Sequence, residues 1–267
     1  MSPGRHGAQA TLPDSGRPAR PVRSRRRLAV PPQHGAWAFL ALPLVLGFVF
    51  AGVTWPGVLF AVVWVVAYPA SYYLGRALSV RWRRGQWSRI ARRERDAALP
   101  WTVPALAGGV VLVGLRPWLA VVALVLALGW LVGIRLSVAG RERGFGNDVL
   151  LVAQSVVALP ALWYVSTGNW DVPTEVWRAT GVCATYFVGS VIHVKSLIRE
   201  SDDRRWHVAD LIFHVLALAW GFVSPWLLLP FGVGLVRAVI MRPGLRPAVI
   251  GMVEIVMSLL VLAGLLL

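Results

Sequence analysis

Apolar runs of about 20 residues, separated by short arginine-bearing segments, repeat from residue 35 to the end of the chain. A hydrocarbon core of roughly 30 Å is crossed by about 20 residues of α-helix, so each run is long enough for one crossing. The runs lie near residues 35–54, 57–75, 99–115, 117–135, 148–166, 177–195, 207–223, 225–241 and 247–267, which predicts nine helices. Trp55-Pro56, Arg116-Pro117 and Ser224-Pro225 part neighbouring runs with a proline, whose fixed φ and missing N–H suit a tight turn. The expected fold class is all-α: a polytopic membrane helix bundle of about nine transmembrane helices, forming one domain over residues 31–267.

Residues 1–30 break the pattern. They are rich in Pro, Gly and Arg, end in Arg23-Ser24-Arg25-Arg26-Arg27, and hold too little apolar surface to fold, which predicts a disordered basic tail. The first apolar run is long and others follow it, so it reads as an uncleaved first helix rather than a signal peptide.

Composition agrees with the pattern. Hydrophobic residues make up 57% of 267, with 14 Trp, and the mean hydropathy is +0.64. A soluble domain of this size cannot bury that much. The net charge of +15 does not indicate nucleic acid, because the basic residues fall between apolar runs instead of along one soluble face. Lys and Arg collect on the cytoplasmic side of short loops. With nine crossings, all of the 27 basic residues except Arg116 and Arg178 fall on one side. The expected topology places the N-terminus in the cytoplasm and the C-terminus outside, and 26 Arg against one Lys suggests a GC-rich bacterium and its plasma membrane. Cys183 is alone, so no internal disulfide is expected.

The segment from Arg76 to Ala98 carries eight Arg with Trp82 and Trp87, and is expected to be an interfacial loop. It serves either as topology signal and anchor or as an amphipathic collector of anionic lipid.

The densest chemistry lies between the sixth and seventh runs, in the stretch HVKSLIRESDDRRWHVADLIFH from His193 to His214. It contains the only lysine, three of the five histidines, and Glu200, Asp202, Asp203 and Asp210. At 100° per residue a continuing helix puts His193, Ser196, Glu200 and Asp203 on one face, and Lys195 and Arg199 on another. His207, Asp210 and His214 share a face of the seventh helix. Lys195 and Arg199 suit a phosphate or diphosphate, the Arg as a bidentate fork and the Lys as a point charge. His193, Glu200, Asp203, Asp210 and His214 suit acid-base or ion-binding work, the imidazoles because they titrate near neutrality. Glu200 and Asp203 are weak candidates for a divalent metal, without any HExxH or paired-Cys pattern. An ionisable group carried into a span costs roughly 2.5 to 3.5 kcal/mol at its centre, which sets His214 apart from solvated loop charges.

Further polar residues open other helices at the same end. These are His34 in Pro32-Gln33-His34-Gly35-Ala36-Trp37, Asn147 with Asp148, and Gln154 on the face of Asn147. His34 and Asn147 are further candidates for substrate binding. Arg237 and Glu254 lie at similar depth and are expected to form a structural ion pair.

The segments PPQHGAW from Pro31 to Trp37, GFGND from Gly144 to Asp148, and HVKSLIRESDDRRWH from His193 to His207 resemble the YwiC-like family of bacterial membrane proteins. The likeness runs from about Val30 to the C-terminus. Nine helices with charged cytoplasmic loops after the second and sixth also look like the UbiA superfamily of intramembrane prenyltransferases. In that superfamily aspartate-rich motifs in those loops hold magnesium, which binds an isoprenoid diphosphate. The resemblance places Glu200, Asp202 and Asp203 at the second motif, with Lys195 and Arg199 as diphosphate partners. The first motif is replaced by Ser71-Tyr72-Tyr73-Leu74-Gly75-Arg76, which weakens a two-motif magnesium site.

Three readings stay open. The first is a divergent UbiA-like protein, prenyltransferase-like enzyme or binder, acting on an isoprenoid or lipid phosphate. The second is a proton-coupled transporter using His193, Asp210, His214 and Glu254. The third is an assembly factor for another membrane complex, its protein partners unknown.

Overall fold

The computed structural model describes residues 30, 31 and 36–267, so His34 and all of the predicted tail except Val30 lie outside the described residues. Ten α-helices follow: α1 (Ala36–Ala51), α2 (Trp55–Arg84), α3 (Arg89–Leu115), α4 (Leu119–Val138), α5 (Phe145–Val156), α6 (Ala158–Thr167), α7 (Thr174–Val194), α8 (Arg204–Ala217), α9 (Leu228–Ile240) and α10 (Pro247–Leu266). α5 and α6 form one crossing. Pro160 has no N–H to offer Val156 and its ring crowds that carbonyl, so the helix steps at Val157 and resumes.

The result is an all-helical, multi-pass membrane bundle. Among the described residues six helices are long and apolar enough to cross a membrane: α2, α3, α4, the α5–α6 unit over 145–167, α7 with the turn that follows it, and α10. α1 and the 225–240 helix are apolar but shorter. α8 is marked by Arg204, Arg205, His207, Asp210 and His214, which lower its hydropathy. The nine predicted crossings therefore correspond to nine helical units, of which three join the bundle by packing rather than by length and apolarity.

The expected loop from Arg76 to Ala98 is mostly helix. α2 runs 30 residues and α3 27, and only Gly85 to Ser88 part them. Arginine and alanine are good helix formers, so the helices need no apolar run to continue. At 1.5 Å per residue α2 is about 45 Å long, well beyond a 30 Å hydrocarbon core, and its arginines project past it. Gly85 takes φ +69°, and Ser88 caps α3 by accepting the Ala91 N–H at 3.3 Å. Arg76 meets Glu94 across the hairpin at 3.2 Å, and Arg81 and Arg95 lie over the Trp87 ring.

Two apolar cores share α1. One packs Leu42 and Leu46 with Phe187, Tyr186, Val182, Phe231 and Val261, joining α1, α7, α9 and α10. The other packs Leu44 with Phe60, Ala158, Leu162 and Val165, joining α1, α2 and α6. Lipid supplies no hydrophobic drive for helix association, so close approach at small residues matters. A Cβ on Gly47 would stand 3.1 Å from Leu162, and one on Gly129 2.5 Å from the Gln154 amide. Gln154 is thereby spent on structure, donating to Leu126 O of α4 at 2.9 Å. α3 and α4 show apolar side chains such as Val103, Leu106, Leu124 and Leu128 on the outside, as lipid-facing helices do.

Candidate functional site

α7 ends in a π-helical turn, Lys195–Arg199, closed by the Glu200 N–H donating to Lys195 O at 2.8 Å. A π turn takes up one more residue than an α turn, and such turns recur at functional sites. Here the helix stops after it: Glu200 takes φ −121°, ψ 31° and Asp203 is extended at φ −96°, ψ 105°. His193 and Ser196 stay on the face toward α8, while Glu200 and Asp203 leave it, against the face expected from regular periodicity. Asp203 instead caps α8, its carboxylate accepting the Arg205 N–H at 2.9 Å.

Asp210 sits at the centre of what remains. His193 Nδ1 donates to Asp210 Oδ2 at 2.7 Å, and Ser196 Oγ lies 3.3 Å from the same oxygen. His214, one turn on, sets its Nδ1 2.9 Å from the Asp210 carbonyl and 3.1 Å from Oδ1. All four residues are buried, and His193 is 0% exposed. An ionised carboxylate and a carbonyl only accept, so both imidazoles carry hydrogen on Nδ1. Each neutral ring then presents a bare Nε2. That of His193 is enclosed by protein without a hydrogen-bond partner. The ring edge of His214 passes between two glycines: a Cβ on Gly189 would stand 3.4 Å from its Nε2, and one on Gly234 3.0 Å from its Cδ2. His207 makes no hydrogen bond or ion pair with the group among the described residues.

Lys195 and Arg199 do share a face, and it meets α5. Lys195 Nζ lies 3.1 Å from Asp148 Oδ2, donates to Arg143 O at 2.6 Å, and stands over the Trp206 ring at 5.5 Å. Lys195 is 2% exposed. Arg199 is looser, 3.7 Å from the same Asp148 oxygen with its side chain 45% exposed. Asn147, on the next position, is buried and donates to Glu142 O at 2.9 Å; Gly144 takes the N-cap position instead. Asp148 is the partner that local pattern did not assign. It lies 47 positions from Lys195, and only the packing of α5 against α7 joins them.

Arg237 and Glu254 form the ion pair expected from their depth, linking α9 to α10. Glu254 Oε2 also accepts from Ser190 Oγ at 2.6 Å and Tyr186 OH at 3.2 Å, while Arg237 Nε has no partner. A void of about 10 Å³ separates this network from His214 and is lined by both His214 and Arg237, with Gly189 and Gly234. That is room for about one water.

The structure thus gathers His193, Ser196, Asp210 and His214 into one group and Lys195, Arg199 and Asp148 into a second. Asn147 lies beside the second, and Glu200 and Asp203 join neither. Among the described residues no three His, Cys, Asp or Glu side chains are arranged to hold a metal ion.

A family model described as YwiC-like protein matches residues 30–163. An "Uncharacterized protein" of Haemophilus influenzae is 27% identical over 221 residues, covering 80% of this chain and 86% of the relative. "Uncharacterized protein YwiC" of Bacillus subtilis is 28% identical over 205 residues, covering 76% of this chain and 81% of the relative. No solved structure matches the chain.

Proposed function

This chain belongs to the YwiC-like family, and within it we propose a proton-coupled transporter of the bacterial plasma membrane, with His193, Asp210 and His214 as its protonatable centre. The carrying observation is one buried carboxylate bonded to the His193 imidazole and 3.1 Å from a second, His214, whose Nδ1–H is held by the Asp210 carbonyl beside a water-sized void. A proton reaching His214 Nε2 makes an imidazolium 3.1 Å from the Asp210 carboxylate, so the charge is met where it forms. Ionisable groups at this depth are costly in a membrane, and such groups mark proton and solute routes. Each uptake or release also changes the charge between α7 and α8, a physical handle on their packing. The distribution of arginine supports the orientation with the N-terminus and the Arg76 to Ala98 hairpin in the cytoplasm. The test is proton entry into proteoliposomes under a potassium diffusion potential, read with an enclosed pH dye. Entry with the native protein and its loss in His214→Ala supports this reading; equal rates in native, mutant and empty vesicles overturn it.

The second reading, a UbiA-like protein acting on an isoprenoid or lipid phosphate, is supported by the open guanidinium of Arg199 above Asp148. Lys195, the other expected phosphate ligand, is already committed to three protein groups. This reading requires that Arg199→Ala abolish binding of an isoprenoid phosphate in nanodiscs, and unchanged binding contradicts it.

A further inference from the structure

Beyond the void at His214 the space between α7 and the end of α8 widens into a groove of about 320 Å³. Its opening has a local cause. After Ala217 the chain tightens into a 3-10 turn over Leu218–Phe222, which carries Trp220 across to α7. Gly181 lets the indole lie against the helix backbone, since a Cβ there would stand 3.0 Å from the ring. Trp220 Nε1 then donates to Thr185 Oγ1 at 3.0 Å and fixes the wall. Thr185, Phe213 and Ala217 line both the groove and the void, so the two spaces adjoin.

The lining selects the kind of occupant. Phe213, Ala217, Ala219 and Val223 offer no polar side chain. The Thr185 hydroxyl is spent, donating to Gly181 O at 2.9 Å and accepting from Trp220. A hydrophilic solute would lose its water along the groove and gain no partner before His214. Leu216 and Phe222 are exposed at 67% and 96% beside it, so the entrance faces the surroundings of an apolar crossing rather than a polar vestibule. An apolar volume near 300 Å³ with a few polar groups at one end is the usual form of a small-molecule site.

We propose that this groove binds a membrane-soluble weak acid, with its hydrocarbon body between α7 and α8 and its carboxyl head at the Phe213 and Ala217 end, one water away from His214. The inference rests on the proton-accepting role given to His214 above. In the bound state the head O–H bond breaks, its proton passes to the water in the void as that water gives one of its own to His214 Nε2, and the electron pair stays on the head as a carboxylate. The imidazolium is held by Asp210. Arg237 borders the void with its charge met by Glu254 behind it, so a carboxylate head meets no fixed negative charge in the lining.

The experiment uses the full chain in nanodiscs with diazirine-bearing palmitic acid, mapping adducts by mass spectrometry. The expected result is adducts concentrated on Phe213, Ala217, Ala219 and Trp220, removed by excess palmitic acid but not by hexadecane. Ala219 is exposed at the rim, so Ala219→Trp fills the groove without entering the core, and it should abolish the competed labelling. Adducts spread evenly over the outer faces of α3 and α4, unaffected by competitor or by Ala219→Trp, overturn the site. Equal competition by hexadecane overturns the role of the head. Proton entry into vesicles is scored separately without added ligand. Entry without competed labelling defeats this inference alone, and competed labelling without entry defeats the transport reading while the site stands.

Discussion

Asp210 Oδ2 accepts the Nδ1–H of His193 at 2.7 Å across the contact between α7 and α8. The bond joins the last α-helical turn of one element to the second turn of the next, between two buried side chains. Its strength and its protonation are therefore linked to how the two helices sit together.

Replacing Asp210 by Asn should cost about 1 to 3 kcal/mol, because the buried His193 Nδ1–H loses its anionic acceptor while the His214 bond to the backbone carbonyl survives. Thermal unfolding in detergent should show a lower midpoint for Asp210→Asn than for Asp202→Asn, whose side chain is exposed.

Lys195 and Asp148 should behave as a coupled pair. Removing either charge leaves the other buried, at about 3 to 5 kcal/mol, while Lys195→Met with Asp148→Asn should recover most of that loss. A double-mutant cycle of unfolding free energies measures this directly, and additive losses would count against the pairing.

Two glycines on α9 should respond in opposite ways. A Cβ at Gly234 meets His214 Cδ2 at 3.0 Å, whereas one at Gly232 meets nothing within 4 Å. Gly234→Ala should destabilise by about 1 to 3 kcal/mol through overpacking and slow proton entry. Gly232→Ala should leave proton entry unchanged and stabilise by about 0.5 to 1 kcal/mol through helix propensity.

Orientation can be read from one turn at each end. In a Cys183→Ala background, cysteine at Gly85 should react with an impermeant maleimide only after the cells are opened, and cysteine at Gly168 in intact cells. The reverse pattern would invert the proposed topology.

The fold was largely legible because membrane crossing depends on local quantities, length and apolarity, that a single run displays. The arginine-bearing ends of α2 and α3 were not, since a water-exposed helix needs only good helix formers such as those from Arg76 to Arg84. At the site, the spacing of Asp210 and His214 revealed one half of the centre, and shared depth pointed to Arg237 with Glu254. The link from Lys195 to Asp148 stayed hidden because it depends on packing between distant helices. The π turn at Lys195–Arg199 had no signal in residue type, and the helix ends after it, which is what turns Glu200 and Asp203 away from His193.

Nitrogen-15 NMR of the histidine-labelled protein in bilayers tests the central claim most directly, with His214 assigned by its loss in His214→Gln. As the pH is lowered, His214 Nε2 should pass from the bare to the hydrogen-bearing form while Nδ1 keeps its hydrogen throughout. A His214 ring whose two nitrogens hold one fixed protonation pattern across the whole range would contradict a proton-accepting centre.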